Sequence, residues 1–229
     1  MSQPSLHDIN DNIQVAVKNG RYLTLKTHRM TEMVEKHIQH ALESILDKTQ
    51  KGPLIHTLYT ILKELVINGC KANQKRIFFD EVGLNIKDAV QYDEGIAKYR
   101  ATFSEKMSLE YGMKARRKGY FVLIDFHFDT DGLTIEVVNN TPIAPQEEEA
   151  MREKLKKAMG YNDIAEFYMD QAMMGESEGA GLGLALVIIL LKGEGIDPKL
   201  FRIMIREDRT IARLEIPFSE KFVSKRDVA

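Results

Sequence analysis

Apolar and polar positions divide the chain into helical and extended stretches. Residues 5–19 read as a short helix stopped at Gly20. Tyr22–Thr27 (YLTLKT) alternates apolar and polar side chains, the pattern of a half-buried strand. Thr31 is placed to cap a helix running to about Lys48, with Val34, Ile38, Ala41, Leu42 and Ile45 at helical spacing. Gly52-Pro53 interrupts, and Pro53 suits the start of the next helix. That helix, over about 54–73, turns Leu58, Ile61, Leu62, Leu65 and Gly69 towards a core. Ile77–Phe79 reads as a short strand, and residues 85–117 as charged helix ending in KARRK. Tyr120–Phe128 and Leu133–Asn139, joined by Asp129-Thr130-Asp131-Gly132, predict a hairpin. Residues 146–174 hold two helical pieces, residues 182–193 a helix, and Phe201–Arg206 with Thr210–Pro217 a closing hairpin. Helices and antiparallel strands sharing one chain predict an α+β sandwich, with helices on a mixed, largely antiparallel sheet.

Composition narrows the setting. A chain of 229 residues makes one large domain or two small ones. With 44% hydrophobic and 29% charged residues it has the balance of an ordinary globular protein. A net charge of −2 gives no sign of a general nucleic-acid or membrane-surface binder. Cys70 is the sole cysteine, which excludes an internal disulfide and fits a reducing compartment. The polar opening MSQPSLHDINDN lacks a secretory core, and Leu182–Leu191 is too short to span a bilayer. A cytoplasmic protein is expected, with neither nucleic acid nor membrane as its partner.

Two motifs carry candidate chemistry. The first is GAGLGLALVIILLK, from Gly179 to Lys192. It is not a dinucleotide fingerprint, because the polar MMGESE precedes it where a buried strand is required; nor is it a P-loop, because no Gly-Lys-Ser/Thr follows. A glycine-rich loop opening a helix presents free N–H groups and a positive dipole end, which suit phosphate. A plain hinge before a core helix is the alternative. The second motif is ILKELVINGCKAN, in which Glu64, Asn68, Lys71 and Lys75 recur on one helical face. An asparagine in so apolar a helix is costly unless its amide finds partners. Its oxygen can bind Mg²⁺, and a nearby glutamate can orient or deprotonate a nucleophile. A solvated polar face with an incidental Glu/Asn pair is the plain alternative here.

In this order the motifs resemble a known family. ELVINGCKAN is similar to the N-box, and GAGLGL to the G2 box, of the gyrase, histidine-kinase and MutL ATPase superfamily. ARLEIPF, residues 212–218, resembles the last sheet strand of histidine-kinase catalytic domains. The resemblance covers about residues 53–218 and implies the Bergerat two-layer α/β sandwich, with ATP held under a lid. It implies a histidine-kinase-like ATP-binding domain over residues 51–220, a lid at about 144–178, a helix–strand–helix extension over 1–50 on the same domain, and a tail over 221–229. Glu64 falls on the position of the general base or water-orienting carboxylate, Asn68 on the magnesium ligand, and Lys71 on a phosphate-reaching lysine. Gly179, Gly181 and Gly183 match the glycines whose N–H groups hold the triphosphate. ATP and Mg²⁺ are the cofactors implied. At the G1 box Asn139 stands in place of the adenine-reading Asp, and both glycines give way to Asn140-Thr141-Pro142-Ile143. An asparagine carbonyl still accepts from the adenine amino group, without the strength of a charged acceptor. Residues 80–118 form an insertion relative to a minimal domain, either a partner-binding element or a solvated decoration.

Three histidines, His28, His37 and His40, precede the N-box, and none sits in an H-box setting; they read as surface histidines, His37 and His40 facing solvent together. One sizeable helix between Thr27 and Pro53 leaves no room for a dimerisation hairpin. The arrangement resembles the anti-sigma serine kinases. Three expectations follow: a stand-alone ATPase or kinase domain that phosphorylates or sequesters a regulatory protein partner; a non-catalytic scaffold of the same fold; and an ATPase whose lid drives closure of a homodimer.

Overall fold

The computed structural model describes residues 6–161, 163–174 and 182–226. In chain order the elements are α1 (Leu6–Asn19), β1 (Tyr22–Thr27), α2 (Glu32–Lys48), α3 (Ile55–Val82), α4 (Ala89–Thr102), α5 (Glu105–Lys118), β2 (Val122–Phe128), β3 (Gly132–Asn139), α6 (Pro145–Ala158), α7 (Ile164–Met174), α8 (Leu182–Gly193), β4 (Phe201–Arg206) and β5 (Arg209–Pro217). Thr31 caps α2 as its sequence predicts, accepting from the Val34 N–H at 3.2 Å. Asp88 and Ser104 cap α4 and α5 in the same way.

The five strands form one sheet in the order β1-β2-β3-β5-β4, and every pairing is antiparallel. The α+β fold with a largely antiparallel sheet expected from the sequence is thereby borne out, the sheet being antiparallel throughout the described residues. The β2–β3 and β4–β5 pairs close through short turns, which only antiparallel strands allow, and β1 and β5 run opposite to the strands they join. The inward rows Val122, Ile124, Phe126, Phe128 and Leu133, Ile135, Val137 lie side by side in register. They pack on Leu58, Ile61, Leu62 and Val66 of α3 and on Val187, Ile188 and Leu191 of α8. Ile38, Leu42 and Ile45 of α2, with Ile13 and Val17 of α1, complete the same core. Full burial of each such side chain is worth about 1.5–3 kcal/mol.

α3 differs most from expectation. It runs 28 residues, past the limit expected near residue 73, and takes in Ile77–Phe79, which is helix and not strand. The reason is a second, smaller core. Ile77, Phe78 and Phe79 are buried with Tyr99 of α4 and with Tyr111 and Ala115 of α5. Wrapped by the α4–α5 hairpin, this end of α3 buries adjacent residues, so its sequence loses the one-sided helical period and resembles a buried strand.

Candidate functional site

α8 lies between α3 and α6 and packs on both. Its first turn meets α3 at the polar stripe read from the sequence. A Cβ placed on Gly183 would collide with Oε2 of Glu64 and sit 3.4 Å from Nδ2 of Asn68. The two motifs, far apart in the chain, therefore face each other, and the glycine is what lets the Glu64 carboxylate approach the start of α8. The first N–H groups of a helix lack intrahelical acceptors and carry its positive dipole end. Glu64 and Asn68 are both half-buried, in reach of a ligand seated between α3 and α8. Gly179 and Gly181 lie outside the described residues, as does the end of the expected lid.

Two further positions of the stripe separate. Lys71 is exposed. Lys75 is mostly buried and in ion-pair contact with Glu147, in the first turn of α6. Burial first, and then the charges of Arg76, Arg100, Lys71 and Lys154, push its ammonium down to about 8; the touching carboxylate pulls the other way. Glu147 also accepts from the Ala144 N–H at 3.3 Å, so one carboxylate both starts α6 and fastens it to α3.

Asn139 ends the inward row of β3, opposite Val122 on β2 and Thr210 on β5. Its Nδ2 donates to the Gly69 carbonyl of α3 at 3.2 Å. Two residues on, the Thr141 hydroxyl donates to Oδ1 of Asn73 at 3.2 Å, and the Thr141 carbonyl accepts from Thr210 at 2.9 Å. Asn140 holds the strand end by accepting from the Phe121 N–H and donating to the Gly119 carbonyl. Asn73 is fully buried, and Asn139 and Thr141 are each 6% exposed. Among the described residues, neither Oδ1 of Asn139 nor Nδ2 of Asn73 has a hydrogen-bond partner. A buried polar group left so costs about 1–3 kcal/mol, so the tethers to Gly69 and Thr141 leave one open acceptor and one open donor. Asn73 and Thr141 escape the sequence reading. Asn73 lies off the Glu64–Asn68 stripe, and its signal, an amide in an otherwise buried helical face, emerges only once α3 is seen to continue past it.

The oxygen donors present suit a hard cation. Among the described residues no three His, Cys, Asp or Glu side chains converge as a metal cage. One asparagine oxygen, completed by phosphate oxygens and waters, is a donor set that Mg²⁺ accepts. An open groove of about 540 Å³ lies elsewhere, lined by residues such as Arg29, Glu35, Lys106 and Leu109; none of Glu64, Asn68, Asn139 or Gly183 borders it.

The histidine expectation needs correction. His37 is 9% exposed, because α2 turns it inwards beside Ile38. Burial first, and then its neighbour His40, hold its imidazole below the ordinary value. The folded state therefore resists a proton that the unfolded chain accepts below about pH 6.5. This contribution is absent above that pH and destabilises progressively below it. His37→Gln is expected to lose less in unfolding temperature than the wild type between about pH 7 and about pH 5. Equal losses in the two proteins would assign the acid sensitivity to other groups.

No family model matches the chain. It is 29% identical over 207 residues to an uncharacterized protein of Treponema pallidum (strain Nichols), covering 90% of this chain and 40% of that relative. The chain thus spans less than half the length of the relative it matches. Among solved structures, a chain of the SiaB-SiaC complex from Pseudomonas aeruginosa aligns over 90% of this chain and 96% of its own, with a TM-score of 0.45 and 13% identity. A likeness at that level bears on neither activity nor partner. Among the described residues no helix is long and apolar enough to cross a membrane.

Proposed function

We propose that the space between α3 and the start of α8 binds ATP with Mg²⁺ and passes the γ-phosphoryl group to a regulatory protein partner. The observation that carries this reading is the approach of Gly183 to Glu64 and Asn68. A carboxylate, an amide and a helix N-terminus close to one another support it, since groups of these kinds hold a bound triphosphate. The Asn68 oxygen would hold the magnesium ion, which when bound neutralises charge on the phosphate oxygens. N–H groups at the start of α8 would hold the phosphates, with Lys71 at the solvent side. Glu64 would orient the acceptor and take its proton as the new bond to γ-phosphorus forms, the bond to the bridging oxygen breaks and ADP leaves. Asn139 would face the base through its open Oδ1.

The tethers on Asn139, Asn140 and Thr141 favour a second reading, in which nucleotide is held without turnover and the protein acts as a scaffold. Calorimetric titration with magnesium–ATP tests both. The first reading expects micromolar, magnesium-dependent binding that Asn68→Ala weakens at least about 10-fold. Glu64→Gln should bind as the wild type does and lose transfer. No binding at millimolar ATP would refute nucleotide binding, and equal transfer by wild type and Glu64→Gln would refute the role given to Glu64.

A further inference from the structure

We infer that β4, at the open edge of the sheet, takes up an extended segment of a protein partner as a sixth strand, and that this segment alternates acidic with apolar residues. The inference is independent of the nucleotide reading above. β4 pairs with β5 on one side only, and among the described residues no backbone bond leaves the other side of residues 202–206. The N–H and C=O groups of that side are a template for a further strand. The two edges of the sheet differ. On β1 each outward side chain is held by a neighbour: Tyr22 stacks on His127 with ring centroids 4.3 Å apart, Thr24 donates to Asp125 at 2.6 Å, and the Lys26 ammonium lies 4.0 Å from the Phe121 ring centroid.

On β4 the register puts Arg202, Met204 and Arg206 on the outward face, and Phe201, Ile203 and Ile205 on the core face. Among the described residues the side chains of Arg202, Arg206 and Arg209 have neither a hydrogen-bond nor an ion-pair partner, Glu207 and Asp208 of the adjoining turn included. Glu136, the carboxylate nearest in the same row, is taken by Arg213 at 2.6 Å. The core-face row also ends uncovered, with Ile203 half-buried and Ile205 41% exposed. Facing residues of paired strands share a face, so an added strand would cover Ile205 with apolar side chains and set carboxylates against Arg202 and Arg206. A second copy of the chain does not fit this edge. In a self-pairing centred on Met204, Arg202 of each copy would stand opposite Arg206 of the other, and like charges directly opposite destabilise a strand pair.

The test offers strands of defined charge. Short fluorescein-labelled peptides, one alternating Glu with Val and one alternating Lys with Val, are titrated with the full chain and followed by anisotropy. The Glu–Val peptide is expected to bind at least about 10-fold more tightly than the Lys–Val peptide. Arg202→Glu together with Arg206→Glu, checked for wild-type thermal unfolding, should reverse that order. A Glu–Val peptide N-methylated at every amide keeps its charges and loses its backbone donors; it should bind at least about 10-fold more weakly than the unmethylated one. Equal binding of the methylated and unmethylated peptides would reduce the contact to charge alone and overturn strand addition. Equal binding of Glu–Val and Lys–Val, or no binding of Glu–Val at millimolar concentration, would overturn the inference and leave the arginines as guards against edge pairing. A wild-type dimer in sedimentation that the Glu–Val peptide splits would overturn the assignment to a partner and make β4 an interface between copies. The wild-type series decides alone if the double variant does not fold, and magnesium–ATP titration is read separately from all of these.

Discussion

Gly183→Val is expected to weaken magnesium–ATP binding by about 100-fold or more while leaving the protein folded. The new Cβ takes the place of the Glu64 carboxylate and crowds the Asn68 amide. A carboxylate at the end of a flexible side chain can swing aside, so the fold loses only the about 1–3 kcal/mol typical of overpacking. The site loses the geometry that two charged or polar groups share with the N–H groups of α8. Gly193→Ala, in the last turn of the same helix, is the control: its Cβ would meet nothing within 4 Å. Calorimetry with both variants checks the pair. Unchanged affinity in Gly183→Val would remove Gly183 from the site.

Phe79→Ala should cost about 3–5 kcal/mol, a large share of a domain's usual 5–15 kcal/mol. The ring is 1% exposed. It lies 5.9 Å from Tyr92 and 6.4 Å from Phe78, centroid to centroid. It also presses on the backbone of Gly95 so closely that a Cβ there would run into it. Urea unfolding followed by near-ultraviolet circular dichroism and by helical signal separately would measure the loss. The aromatic signal should vanish at lower denaturant than in the wild type. A loss below about 1 kcal/mol would mean that α4 and α5 are a solvated decoration and not part of the folded unit.

Much of the fold is legible in the sequence where one face of an element meets one core. β1 shows its alternation because only Leu23 and Leu25 of its central residues pack on the core, and α2 shows its period because one of its faces is buried. Legibility fails where burial comes from two sides. Ile77, Phe78 and Phe79 are successive buried residues, and no one-sided period survives three in a row. The burial of His37 is not legible in the sequence, because helical spacing does not say which flank of α2 its neighbours cover. The candidate site divides similarly. Glu64, Asn68 and the glycines are recognisable as residue types in a pattern, and the structure brings Gly183 against the first two. Asn73 and Thr141 carry no pattern; each is an ordinary polar residue until its tether leaves a donor without an acceptor.

The length of α3 has a mechanical consequence. Its Glu64–Asn68 turn belongs to the sheet-backed core, and its far end is gripped by the aromatic residues of α4 and α5. The part beyond Asn68, 14 residues to Val82, is an arm of about 21 Å. A continuous helix along that arm acts as a lever with its fulcrum at the sheet. If closure on a triphosphate tilts it by about 5°, the α4–α5 hairpin moves by about 2 Å, enough to alter what can rest on its outer surface. Distances between spin labels on α5 and on β1, measured with and without magnesium–ATP, would show the stroke or its absence.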